Sequence, residues 1–351
     1  MTDSAGAAPA ADLTADQQIE RMFSWRRGFN AMHLIDIGLQ LDLFTSLAAA
    51  PTTAAELAAQ LSLHPPYVGT WCITAYSLGL LEADDNGRFR LAPYVDQILA
   101  NRSHPRYLGG YVQLGTRFAT EDYRFAIDAF RSGATVPFQG RSEEFARVVA
   151  QAAGGVNQMV ARKILPGLAD AAEHLNAGGS LLDVGCGTGN LLLQIARSFP
   201  SARCTGIDID PTGLASARDS IAASGLSNRV TLLAGDVASA LAPASFDVVV
   251  MVEVLHEIAP EIRPAVVGGC ARALRRGGWL VIVDETYPST LAETRQPEFA
   301  FPLQTGLEEL MWGNVLPTRE EQERLLRGAG FDQPVERSLI GAGFTLLTTR
   351  R

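Results

Sequence analysis

Lysine is almost missing from this chain. Of 29 basic residues only Lys163 is a lysine, and the basic residues are outnumbered by 38 acids, leaving a net charge of −9. A general binder of nucleic acid or of an anionic membrane needs clustered cations to meet phosphates, so neither class is expected. Cysteine is scarce as well. Cys72, Cys186, Cys204 and Cys270 show no Cys-x-x-Cys spacing, which excludes a zinc ribbon or a disulfide scaffold. No apolar run approaches the roughly 20 residues that span a bilayer. The opening MTDSAGAAPAADLTADQQ has neither a basic n-region nor an apolar h-region, so no secretory leader is expected and the cytoplasm is the expected location. What is present is ordinary: 47% hydrophobic and 19% charged residues over 351 positions, which excludes collagen-like, disordered and coiled-coil classes. Such a length suits two compact domains, or one large domain with an appendage.

Residues 1–16 carry no periodicity and read as a disordered tail. From 17 to 100 the pattern is helical and then extended. RMFSWRRGFNAMHLIDIGLQLDLFTSLA reads as one helix ending before Pro51; Thr52 or Thr53 starts the next, and Pro65-Pro66 opens a third. Asp85-Asn86-Gly87 marks a hairpin between two short strands. Helix, helix, helix, hairpin is the order of a winged helix. Residues 65–81 contain no Lys or Arg, and Trp71, Cys72, Ile73, Tyr76 and Leu78 make them apolar. A helix of that kind suits protein contact rather than a DNA groove, so the segment is read as a dimerisation domain. Residues 101–178 read as a further helical linker whose aromatics, Tyr111 and Phe118 among them, are candidates to line a pocket.

Residues 179–351 change character. SLLDV, CTGIDI, VTLLAG, FDVVVMV and GWLVIVDE are short β-branched runs separated by helical segments, the alternation of a parallel sheet covered on both faces. The capping-box pair Thr318/Glu321 opens a last helix, and VERSLI and FTLLTTR are close enough to pair antiparallel at the sheet edge.

The first of these strands runs into Asp183-Val184-Gly185-Cys186-Gly187-Thr188-Gly189 and then a helix. Glycines there allow a tight turn and close approach of backbone to a ligand. Asp208, about 20 residues on at the end of the second strand, can accept from ribose hydroxyls. The spacing is G-x-G-x-G rather than the dinucleotide G-x-G-x-x-G, and acids Asp183 and Asp236 flank the site. Acids repel a diphosphate but suit a ligand carrying an ammonium and a sulfonium, so S-adenosylmethionine (SAM) fits better than NAD.

LLDVGCGTG, GIDIDP, AGDV, FDVVVMVEVLHEI and LRRGGWLVIVDE, in this order, resemble a class I SAM-dependent methyltransferase, and the winged helix in front makes the chain similar to the dimeric small-molecule O-methyltransferases over about 17–351. The resemblance implies a Rossmann-like seven-stranded α/β catalytic domain behind a helical winged-helix dimerisation domain. It implies SAM as cofactor with S-adenosylhomocysteine (SAH) as product, a small-molecule acceptor and a homodimer. Asp208 would hold the ribose, Asp236 and Val237 the adenine, and the Gly185–Gly189 loop with Cys186 the methionine portion, with Asp183, Ile209 and Val252 counted among the cofactor residues. His256, just after the fourth strand, would be the general base, oriented by Glu285 after the fifth; Asp284 or Glu257 are alternatives to Glu285. Met311, Trp312 and Asn314, in the segment where the family places its acceptor helix, would line the acceptor pocket.

The pattern is departed from in two places. Leu316 stands where plant-type members carry a second Glu, and Ile258 replaces the aromatic after His-Asp. None of the five His lies in 286–318, so the two-His metal site of some C-methyltransferases is not expected. The reading is therefore methyl transfer to a small molecule, at a hydroxyl oxygen first, with carbon, nitrogen or carboxylate acceptors as alternatives. A SAM-binding winged-helix regulator without turnover is the alternative of another class.

Overall fold

The computed structural model describes residues 13–138, 140–341 and 343–351. The chain divides into two compact units, one running to Thr116 and the other from Arg117 to Arg351. The division falls inside the 101–178 segment expected as a linker.

In the first unit, helix α1 spans Ala15–Gln40. Thr14 caps it: its hydroxyl accepts from the Gln17 amide while the Gln17 side chain accepts from the Thr14 amide. The expected tail thus ends two residues early, and its first twelve residues lie outside the described ones. The run read as one helix over 21–48 is two. The chain turns at Leu41, Asp42 takes a left-handed φ of 54°, and α2 follows over Leu43–Ala49. Helix α3 (Ala54–Gln60) starts at the Thr53/Glu56 capping box, and α4 (Pro65–Ser77) at the proline pair. Strands β1 (Leu81–Ala83) and β2 (Phe89–Leu91) form the predicted hairpin, with the Asp84 carboxylate accepting from the Asn86 and Arg88 amides. The core gathers Leu39, Phe44, Leu57, Trp71 and Leu81. Gly38 admits it: a Cβ there would lie 2.5 Å from the Phe44 ring and 2.7 Å from Trp71.

The second unit holds a seven-stranded sheet in the order β5-β4-β3-β6-β7-β9-β8. β3 (Ser180–Val184), β4 (Arg203–Asp208), β5 (Val230–Ala234), β6 (Phe246–Val252) and β7 (Leu274–Asp284) are parallel. β9 (Phe344–Arg350) runs antiparallel to β7 and carries β8 (Glu336–Ile340) at the edge, as the last two runs predict. Successive strand residues feed opposite cores. Leu181, Val248, Val250, Val281 and Val283 pack on one face; Leu182, Val249, Met251, Leu280 and Ile282 pack on the other. Burial on both faces is why these strands read as unbroken apolar runs. After β3 the chain winds outward through β4 and β5, then returns to lay β6 on the opposite side of β3. Sheets of this kind hold ligands at the carboxyl ends of the strands, where the winding reverses.

Candidate active site

The β3 carboxyl end supplies the glycine loop. Gly185, Gly187 and Gly189 all have positive φ, at 71°, 48° and 75°. Gly185 has a second reason to be glycine, since a Cβ would meet the Val254 side chain at 2.5 Å; a Cβ on Gly187 would meet nothing within 4 Å. Asp208, ending β4, accepts from the Gly187 amide at 2.7 Å and the Asp210 amide at 2.8 Å, so the second strand fixes the shape of the first loop. Ile209 beside it is 64% exposed. Asp236, exposed after β5, caps the short helix Val237–Ala240, whose first residue is buried. Cys186 lies in the loop, its thiol pushed up by burial and by the charges of Asp183 and Asp208. Val252, partly buried, ends β6.

Asp183 is the telling residue of this half. It is 2% exposed, its Oδ2 has no protein partner, and burial, with the Asp208 charge added, pushes its pKa well above the ordinary range. A buried carboxylate oxygen left unpaired is costly unless a cationic donor meets it. A ligand carrying an ammonium group beside a ribose fits this arrangement; a diphosphate does not.

The other half lies at the ends of β6 and β7. His256 is 5% exposed, and its Nδ1 is 2.8 Å from the Asp284 Oδ1. Asp284 is fully buried and also accepts from the amides of Leu255 (2.7 Å) and Glu285 (2.8 Å). Asp284 therefore holds the imidazole by Nδ1–H and leaves Nε2 on the side of Glu309. The expectation that Glu285 orients His256 is corrected. The Glu285 side chain is instead hydrogen-bonded to Thr305, whose hydroxyl donates to the Glu285 Oε2 at 2.5 Å, and the His256 charge acts on it without a hydrogen bond. Of the two neighbours, Asp284 is the one hydrogen-bonded to the imidazole.

On the Nε2 side stands Glu309, its Oε2 3.7 Å away and held by the Asn314 amide at 2.8 Å. Glu309 and Thr305 sit four residues apart on the helix Ala300–Met311, one turn above the other, so a single helix face reaches both His256 and Glu285. Burial opposes charge on His256. The Asp284 charge and hydrogen bond, with Glu309 and Glu257, outweigh it and hold the imidazole well above its usual value. Burial pushes the carboxyls of Glu257 and Glu285 up to about 8 and that of Glu253 to about 7. Glu253, which takes a left-handed φ of 57° just past β6, has a buried Oε1 with no partner.

The His256 loop is clamped from below by Arg263, which is fully buried. Arg263 donates to the carbonyls of Ile258 (2.9 Å), His256 (3.4 Å) and Val315, and pairs with the Glu321 carboxylate at 2.6 Å. That pairing corrects the capping box expected at Thr318. The Thr318 hydroxyl does accept from the Glu321 amide, but the Glu321 side chain is taken by Arg263.

Met311, Trp312 and Asn314, expected to line the acceptor, are buried at 4%, 6% and 7% exposure. Trp312 packs against Phe138 and Phe145 and donates from Nε1 to Asp122 at 2.8 Å; Asp122 in turn pairs with Arg141. Phe118 meets Phe145 edge-on in the same cluster. Within this unit Trp312 is a buried core aromatic, Phe118 is a partly buried ring in its cluster, and Asn314 holds Glu309. Tyr111 belongs to the first unit. Sequence reading missed Glu309, Glu253 and Arg263. For Glu309 a signal was available: an acid on the same helix face as Thr305, within the segment already singled out for the acceptor.

A family profile described as a methyltransferase domain matches residues 181–278. The chain is 29% identical over 253 residues to the tetracenomycin polyketide synthesis 8-O-methyl transferase TcmO of Streptomyces glaucescens, covering 70% of this chain and 72% of that one. It is also 29% identical over 311 residues to aclacinomycin 10-hydroxylase RdmB of Streptomyces purpurascens, covering 86% and 81%. Human N-acetylserotonin methyltransferase in complex with SAM has the same fold, with a TM-score of 0.76 at 20% identity over 98% of this chain and 99% of that one. Among the described residues no helix is long and apolar enough to cross a membrane. Residues 181–278 thus carry a methyltransferase domain, and the chain is similar in sequence to small-molecule O-methyltransferases and shares their fold.

Proposed function

We propose that the chain methylates a hydroxyl oxygen of a small aromatic, polyketide-like acceptor, with His256 Nε2 as general base. The observation that carries the reading is the His256–Asp284 pair, 2.8 Å apart and buried, at the carboxyl ends of the strands whose sheet also carries the glycine loop. The names of relatives such as TcmO support the acceptor class.

SAM supplies a methyl already activated on a sulfonium. Asp183 suits its ammonium and Asp208 its ribose hydroxyls; Ile209, Asp236 and Val237 suit the adenine, and Val252 and the Gly185–Gly189 loop the remainder. The protein's work is then to position the acceptor and take one proton. Orientation of reactants is worth roughly 7–11 kcal/mol. A phenol with pKa about 10 gives its proton to Nε2, and a placed base adds about 10²–10⁴-fold. The imidazolium so formed lies between Asp284 and Glu309, which stabilise it. The same two acids raise the pKa of His256 toward that of the phenol, which favours transfer once the imidazole is neutral.

Exposed apolar residues along α1, including Met22, Phe23, Trp25 and Phe29, support a homodimer formed through the first unit. Four buried free cysteines accord with a cytoplasmic location.

The test is incubation with SAM carrying a heavy methyl and a panel of polycyclic phenols, with mass spectrometry and NMR of the products. The reading expects the label on an oxygen. Label on carbon or nitrogen overturns the oxygen assignment, and an acceptor that gains an unlabelled oxygen points to the chemistry named in RdmB.

A further inference from the structure

A second cavity, of about 240 Å³, lies beside the end of β7 and is walled by Thr286, Glu298, Arg319, Arg337, Ser338 and Thr345 among others. Its charge is out of balance. Two other arginines of this unit, fully buried Arg263 and partly buried Arg141, each have an acid at 2.6 Å, Glu321 and Asp122, while partly buried Arg229 donates to the carbonyls of Ala196, Phe199 and Ala202. Arg337, partly buried on β8, bonds only neutral oxygens: the Gln322 Oε1 at 2.8 Å and the Thr286 hydroxyl at 3.4 Å. Among the described residues no carboxylate lies within ion-pair distance of it. Burial and the Arg319 charge press its pKa down, only partly offset by the acids Glu323 and Glu298. Among the described residues Arg319 has one ion-pair partner, Glu298, at a long 3.6 Å. The wall therefore carries two guanidinium groups against one loosely paired carboxylate, with the hydroxyls of Thr286, Ser338 and Thr345 alongside.

Forked guanidinium donors beside hydroxyls recognise planar or tetrahedral oxyanions. We propose that this cavity binds a small oxyanion, a carboxylate or phosphate group, between Arg337 and Arg319. The site is distinct from the glycine loop and does not depend on which atom is methylated. It has a short route to the catalytic strand end. Gln322 Nε2 donates to the Glu285 carbonyl at 3.3 Å and to the Thr286 hydroxyl at 3.0 Å, so an occupant would touch the residue that follows Glu285. The anion can be a charged group of the acceptor itself or a free ion, and the chemistry of recognition is shared.

The experiment is titration of the full chain with inorganic phosphate at constant ionic strength, read by calorimetry and by thermal melting, for wild type, Arg337→Met and Arg319→Met. Saturable binding is expected in wild type and about tenfold or more weaker in Arg337→Met, as loss of a charged hydrogen bond implies. Circular dichroism shows whether Arg337→Met still folds; if it does not, Arg319→Met, on a half-exposed position, carries the comparison. Two arms separate the sources: phosphate competing with a phenolic acid but not with a neutral phenol marks the acceptor's own group, whereas saturable binding without competition marks a free ion. Phosphate binding no different from a chloride control, or equal in wild type and both variants, overturns the proposal.

Discussion

His256 and Asp284 meet 2.8 Å apart across the ends of two adjacent parallel strands, β6 and β7, with both side chains almost wholly out of solvent. Asp284 is itself fixed by two backbone amides, so the imidazole is oriented by a carboxylate that cannot swing away. Replacing Asp284 by Asn keeps the shape, removes the charge and permits the wrong tautomer. We expect kcat to fall by about 10²–10⁴-fold, the scale of a misplaced base. We also expect the rising limb of the pH–rate profile to move to lower pH, because the charge that raises the His256 pKa is gone. Glu285→Gln, which leaves this pair intact, should not move that limb downward as far.

Stability should fall as pH rises through neutrality. Glu253, Glu257 and Glu285 have folded-state pKa values raised to about 7, 8 and 8, and that of His256 is raised too. Each such group holds its proton more tightly folded than unfolded. Its contribution is complete below its unfolded pKa and is lost as pH climbs through the folded one. Melting temperature measured from pH 5 to 8.5 should decline, and Glu257→Gln should flatten the decline, recovering roughly 2–4 °C at the alkaline end for each kcal/mol regained. A Tm that rises over this interval contradicts the assignment.

Arg263→Met should destabilise the second unit by about 3–5 kcal/mol, because it strands the Glu321 carboxylate and frees three carbonyls around the His256 loop. The double variant with Glu321→Met should recover part of that loss. Urea denaturation of the single and double variants checks both statements.

The glycine loop separates two effects. Gly185→Ala meets both a left-handed φ and Val254 at 2.5 Å, so it should cost folding stability. Gly187→Ala meets only the φ cost, on the order of 1 kcal/mol, and should fold while binding SAH more weakly, since its Cβ enters open space beside Asp208. Paired melting and SAH calorimetry would expose a reversal of this order.

The sheet was legible because each parallel strand is buried on both faces and so leaves an apolar run between helical stretches. The helix starts and the hairpin of the first unit were legible from capping residues, the Pro65-Pro66 pair and the Asp85-Asn86-Gly87 turn. The break at Asp42 was not, since nothing in Leu41-Asp42-Leu43 interrupts helical spacing; the turn rests on a left-handed aspartate. At the site, motif order located His256 and Asp208 but could not rank Asp284 against Glu285. Those neighbours are both acids at one strand end, and only the folded geometry gives one His256 and the other Thr305 as its partner. Glu309 lies in the segment already singled out for the acceptor, but its partner is 53 positions away in sequence, so the pairing itself exists only in the folded chain.

The most direct test of the account is methyl transfer to a polycyclic phenol by wild type and His256→Ala under saturating SAM, with SAH affinity measured in parallel. The account predicts a rate lowered by about 10²–10⁴-fold with SAH affinity unchanged, because His256 takes the acceptor's proton and has no part in holding the cofactor. A variant that transfers methyl within a few-fold of wild type would contradict it.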